Sequence, residues 1–132
     1  MNTRPMVFKR FVVDLATLSK CKERSVAAII TDKDMTQVFS IGINGGPRGL
    51  DDCMCVTNGK YGCIHAEMNA LIKCTSIEKE KVMFLTLSPC KQCAAAIINF
   101  PGGFGGVYYV EEWKDSSGLS LLRNAGIKVL KI

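Results

Sequence analysis

The sequence predicts an α/β fold in which strands running parallel to their neighbours are covered by helices, and three observations carry that expectation. Short β-branched runs alternate with helix-length amphipathic segments, most regularly in the second half of the chain. The predicted order is α-β-β-α-β-α-β-α-β, and such alternation implies parallel neighbours with helices on both faces. A length of 132 residues with 48% hydrophobic content suits one domain, 1–132, with a single core.

Residues 6–19 set Phe8, Phe11, Val12, Leu15 and Leu18 at helical spacing. Residues 25–31 (SVAAIIT) read as a buried strand, Asp32-Lys33-Asp34 as a turn, and 37–43 (QVFSIGI) as a second strand, so the two form a hairpin. Residues 44–60 are rich in Gly and Asp and read as a long loop, which a compact domain seldom keeps without a use. A helix over 65–77 and a strand over 82–87 follow. Pro89 then stands in the first turn of a helix ending about Asn99. Residues 101–106 read as a glycine-rich turn, 107–110 as a strand, 117–124 as a helix ended near Gly126, and 127–132 as a last strand.

The formal net charge is +5, yet Lys and Arg are scattered with no run of five. That argues against a broad nucleic-acid stripe and leaves a local anion site open. At 22% charged residues, disorder is not expected. The opening MNTRPMVFKR lacks the apolar core of a signal peptide, and nothing later is long enough to span a membrane. A soluble, cytoplasmic protein with no membrane partner is therefore expected. Seven cysteines are many, and an odd number argues against a pure disulfide framework. Thiols kept reduced are better explained by metal ligation, set against the plain alternative of small buried apolar side chains.

His65-Ala66-Glu67 opens one predicted helix and Pro89-Cys90-Lys91-Gln92-Cys93 opens another. Cys90 and Cys93, three apart, share one helical face and can grip one ion. His65 is the only histidine. Three protein ligands leave the fourth tetrahedral position for water, the pattern of a catalytic rather than a structural zinc. Helix N-termini favour both thiolates. Glu67 is placed to pass on the proton of a water whose pKa zinc lowers to about 7. Either motif alone is weak: Cys-x-x-Cys also serves as a redox pair or half a zinc ribbon. Both together, each at a helix start, form the signature of zinc deaminases.

Over its whole length the sequence resembles the deoxycytidylate deaminases of the cytidine deaminase superfamily, the phage members most closely. The segments that carry the resemblance are 42–49 (GINGGPRG), 63–71 (CIHAEMNAL), 85–94 (LTLSPCKQCA) and 122–127 (LRNAGI). The Gly-x-Asn-Gly-x-Pro loop and the Asn-Ala after His-Ala-Glu set it apart from tRNA adenosine deaminases. Three departures are Val26-Ala27-Ala28 in place of Val-Gly-Ala, a short stretch between Asp51-Asp52 and His65, and the glycine-rich turn over 101–106 in place of a more ordinary helix-to-strand link.

The resemblance implies a three-layer α/β/α fold with a five-stranded mixed sheet, and hydrolysis of dCMP to dUMP and ammonia, feeding thymidylate synthesis. It implies that His65, Cys90 and Cys93 bind the catalytic zinc and that Glu67 shuttles protons. Asn44 would hydrogen-bond the sugar, and the backbone of Ala66 and Ser88 would hold the base edge. Lys22 and Arg24, in the loop before the first strand, are the phosphate candidates. The family commonly forms hexamers that dCTP activates and dTTP inhibits. An effector site over Asn44, Gly45, Arg48, Asp51 and Asp52 is expected, with Mg²⁺ accompanying a triphosphate. A second, structural zinc on Cys21, Cys53, Cys55 and Cys63 is also expected, because some phage relatives draw such ligands from the same places. If the chain is phage-encoded, it would act in the host cytoplasm. The competing classes are a deaminase of tRNA or single-stranded DNA, a deaminase of another free cytosine nucleotide, and a zinc-binding structural module. The last has no need of Glu67 or an open ligand position.

Overall fold

The computed structural model describes residues 1–21, 23–49 and 63–132. Helix α1 spans Arg4–Ala16, capped by Thr3, whose hydroxyl accepts the Met6 N–H at 3.4 Å, with Pro5 in its first turn. Strands β1 (Ala27–Thr31) and β2 (Val38–Ile43) form the expected hairpin. Its turn is held by Asp32, whose carboxylate accepts from the Thr36 and Gln37 N–H groups at 2.7 and 2.8 Å. Then come α2 (Ala66–Lys73), β3 (Lys81–Leu87), α3 (Lys91–Asn99), β4 (Phe104–Glu111), α4 (Ser117–Asn124) and β5 (Lys128–Lys131). Among the described residues this is the predicted element order.

The five strands form one sheet in the order β2-β1-β3-β4-β5. β1 runs antiparallel to both β2 and β3, whereas β3–β4 and β4–β5 are parallel. Alternate residues serve opposite faces, as the pleat requires. Ala27, Ile29, Val82, Phe84 and Tyr108 meet Val12, Leu15 and Ala16 of α1 on one side. Ala28, Ile30, Met83, Leu85, Val107 and Tyr109 meet α2, α3 and α4 on the other. Three layers result, as expected, with two small cores back to back across the sheet. No helix among the described residues is long and apolar enough to cross a membrane.

Several boundaries differ from the sequence reading, and four of them have a clear local reason. α1 stops at Ala16, because Thr17, Leu18 and Ser19 bond to carbonyls three residues back and tighten the chain. Leu18 thereby leaves the apolar stripe, 65% exposed, and Phe11 also points largely outward. α2 stops at Lys73, since Cys74 is already extended at ψ 118°. α3 begins at Lys91, one turn-position after Cys90: the Cys90 sulfur accepts the Cys93 N–H and makes Cys90 the N-cap, leaving Pro89 outside the helix. β4 starts at Phe104, inside the predicted glycine turn. Gly102 and Gly103, at φ 83° and 75°, complete that turn, and Gly105 and Gly106 continue as strand.

Candidate active site

The candidate residues gather at the end of the sheet where β3 and β4 finish. In an open sheet with parallel strands, this carboxyl end is where a crevice forms. His65 is the N-cap of α2 and Cys90 the N-cap of α3. The segment before His65 is held by Ile64, which exchanges backbone bonds of 3.2 and 2.8 Å with Gly45 just beyond β2. β2 can lie this close to α2 because position 42 is glycine: a Cβ there would stand 2.1 Å from the Ala66 carbonyl oxygen.

These two helix starts bring three metal-binding donors together. His65 Nδ1 lies 3.3 Å from Cys93 Sγ and 3.6 Å from Cys90 Sγ, and all three donor atoms fall within 4.8 Å of one another. A tetrahedral zinc with bonds of about 2.3 Å to sulfur and 2.0–2.1 Å to nitrogen needs N···S separations of about 3.6 Å. The donor set and its spacing therefore fit zinc. Cys93 is buried, Cys90 half-buried, and the His65 side is open to the crevice. Cys90 and Cys93 thus meet as an N-cap and a first-turn residue rather than as two positions on one helical face.

The three donors perturb one another strongly. Hydrogen bonding from Cys93, then from His65, lowers the Cys90 thiol to about 4. The same Cys90 contact, with burial, drives the Cys93 thiol upward. The hydrogen bond to Cys90 raises His65 despite its partial burial. Glu67, in the first turn of α2, is buried, and loss of solvent lifts its carboxyl to about 6. A carboxyl titrating there can both take and give a proton near neutrality.

Glu67, His65 and Cys90 open into a cavity of about 260 Å³, whose wall also includes Arg24, Asn44, Ala66, Ser88, Cys21 and Cys63. Asn44 is tied by its side chain: Oδ1 accepts from Ser19 Oγ at 2.6 Å and Val26 N–H at 2.9 Å, and Nδ2 donates to the Arg24 carbonyl at 2.6 Å. Ser88 gives its N–H to the Glu111 carbonyl at 2.9 Å, so its own carbonyl is the backbone group left to meet a ligand. Arg48 is exposed and does not line the cavity, and Gly45 is paired with Ile64. Lys22, Asp51, Asp52, Cys53 and Cys55 lie outside the described residues.

Four wall residues were not anticipated as part of the site: Glu23, Val26, Leu87 and Trp113. Trp113 follows β4, and its backbone N–H donates to Ser88 Oγ at 2.7 Å. The signal available was positional: the single tryptophan of the chain comes just past the carboxyl end of a parallel strand.

Residues 4–111 match the family described as the cytidine and deoxycytidylate deaminase zinc-binding region. The chain is 33% identical over 125 residues to ComE operon protein 2 of Bacillus subtilis, an alignment covering 89% of this chain and 65% of that protein. It is 41% identical over 75 residues to the deoxycytidylate deaminase of Enterobacteria phage T2, covering 52% of this chain and 38% of the relative. The chain thus spans less than two thirds of either relative's length. Among solved structures, the dCMP deaminase of cyanophage S-TIM5 in complex with dCMP and dUMP superposes with a TM-score of 0.87 at 27% identity, covering 100% of this chain and 99% of that one. With the matched family region running through α1, both helix-borne motifs and β4, this chain belongs to the cytidine and deoxycytidylate deaminase family.

Proposed function

We propose that the chain hydrolyses the 4-amino group of dCMP, giving dUMP and ammonia. The observation that carries this reading is the convergence of His65 Nδ1 and the Cys90 and Cys93 sulfurs beside a buried Glu67 at the wall of a cavity. A nucleotide-sized ligand in the similar cyanophage structure supports the substrate class. In this reading His65, Cys90 and Cys93 hold zinc, which when bound supplies the Lewis acidity that makes water a nucleophile at neutral pH. Glu67 takes one proton from the attacking water and delivers it to ring N3 as the oxygen bonds to C4. It then moves the remaining hydroxyl proton to the amine. The C4–N bond breaks, ammonia leaves, and C4 keeps the oxygen as a carbonyl.

The cavity wall provides the rest. Ala66 and the Ser88 carbonyl meet the base edge, Asn44 the sugar and Arg24 the phosphate; Lys22, outside the described residues, is the second phosphate candidate. The finer parts of the proposal are a hexameric assembly and control by dCTP and dTTP through the Asn44–Asp52 segment, with Mg²⁺ on the triphosphate. Cys21 and Cys63, buried against each other at one edge of the cavity, would join Cys53 and Cys55 in holding a second zinc. Two zinc ions per chain, falling to one in Cys63→Ser, is the stoichiometry expected.

The deciding experiment measures ammonia release from dCMP, cytidine, dCTP and an RNA stem-loop by the zinc-loaded protein. Turnover of dCMP above the others is expected. Preference for the RNA would replace this reading with a nucleic-acid deaminase, and preference for dCTP or cytidine would move the substrate.

A further inference from the structure

We propose that Ser19, which does not itself line the cavity, is a positioning residue that sets the Asn44 carboxamide and, through it, the Arg24 side of the substrate cavity. The Ser19 hydroxyl donates to Asn44 Oδ1 at 2.6 Å, across 25 positions of sequence. Its own orientation is fixed, because Ser19 Oγ accepts the Cys21 N–H at 3.2 Å, and its N–H bonds to the Ala16 carbonyl at the end of α1. The carboxamide it meets cannot be turned over. Asn44 Oδ1 also accepts the Val26 N–H, which can only donate, so Nδ2 must face the Arg24 carbonyl.

The Asn44 backbone N–H returns to the Val26 carbonyl at 3.1 Å, so Val26 is held on both sides. One Nδ2 hydrogen is spent on Arg24. The second has no hydrogen-bond partner among the described residues, and Asn44 lines the cavity, so we assign this hydrogen to a ligand there. Ser19 therefore keys three things at once: the end of α1, the approach to β1, and the direction of an amide N–H that a bound sugar would use. Removing its hydroxyl frees one lone pair of Oδ1 and loosens the Arg24–Val26 turn. No ligand and no metal contact is lost.

Ser19→Ala and Ser19→Thr test this by two readouts. The first is amide hydrogen exchange at Val26 in the ligand-free, zinc-loaded protein. Loss of one hydrogen bond in the set predicts exchange about tenfold faster in Ser19→Ala and near wild type in Ser19→Thr. The second is kinetic and rests on the proposed deamination: KM for dCMP rises about 5–10-fold in Ser19→Ala, with kcat within about twofold, and Ser19→Thr restores it. Unchanged Val26 exchange, or a fall in kcat at constant KM, overturns the assignment. If the wild-type protein turns over no dCMP, the deamination reading fails, while Val26 exchange still decides the role of Ser19. Should Ser19→Ala not fold, Ser19→Cys takes its place in the same two measurements, with intermediate values expected from its weaker donor and wild-type values overturning the assignment.

Discussion

A Cβ on Gly118 would stand 2.1 Å from the Pro89 carbonyl oxygen and 2.9 Å from that of Cys90. The first turn of α4 thus packs directly on the backbone that presents the Cys90 sulfur. A glycine here has nothing to do with backbone freedom, since it sits within a helix. It is there for close approach.

Gly118→Ala should therefore displace the Pro89-Cys90 turn rather than merely fill space. Overpacking of this kind costs about 1–3 kcal/mol. Because the displaced backbone carries a metal donor, zinc affinity should fall as well. Competition with a chromophoric chelator reads the affinity, and thermal denaturation reads the stability. A variant that loses stability but binds zinc as the wild type does would show that α4 supports the fold without aligning the donors.

The chemistry was legible where it is local in sequence, and obscure where it depends on distant contacts. His65-x-Glu67 and Cys90-x-x-Cys93 carry their meaning in their spacing, and the hairpin and parallel strands followed from β-branched runs. The helix ends depend on local bonds that the hydrophobic period does not carry: the Cys90 sulfur caps α3, and at the end of α1 backbone bonds three residues back are joined by the Thr17 hydroxyl, which donates to the Asp14 carbonyl at 2.6 Å. Ser19 and Trp113 escaped notice because their partners, Asn44 and Ser88, lie 25 residues away. Gly42 and Gly118 read as ordinary glycines until the helices they contact are in place.

Glu67→Gln should separate proton transfer from metal binding. The amide keeps the size of the carboxyl but cannot move protons, so the variant should hold zinc and lose about 10²–10⁴ in kcat. Cys93→Ala should lose the metal itself, since only two donors remain. Elemental analysis beside single-turnover kinetics distinguishes the two. A zinc-loaded Glu67→Gln with near-normal turnover would remove Glu67 from the reaction.

Lys81 is fully buried, with Nζ donating to the Glu78 and Pro101 carbonyls at 2.5 and 2.7 Å, above the rings of Phe100 and Phe104. Burial lowers its pKa below the usual 10.5, although Cys74 and Glu78 pull the other way. Between the folded and unfolded values the unfolded chain binds more protons, so stability rises with pH across that window and is level below it. Lys81→Met should abolish this slope. It should also leave two carbonyls without their donor, at a cost of about 1–3 kcal/mol at pH 7. Urea unfolding of both proteins between neutrality and pH 10.5 measures the difference, and parallel profiles would contradict it.

Trp113 makes occupancy of the cavity directly visible. It is the only tryptophan in the chain, so intrinsic emission excited at the red edge comes from the cavity wall alone. Its backbone N–H is fixed to Ser88 Oγ, which holds the loop after β4 against the turn leading to Cys90. A planar base entering beside the indole changes its solvent exposure and offers a stacking partner. Titrating zinc-loaded Glu67→Gln, which should bind without turning over, with dCMP should shift or quench the emission saturably. Ser88→Ala removes the acceptor of the Trp113 backbone N–H, loosens the segment that carries the indole and should blunt the change, as well as weakening binding. If dCMP leaves the emission untouched while equilibrium dialysis shows it bound, the base lies away from Trp113, and the indole serves only to close the far wall.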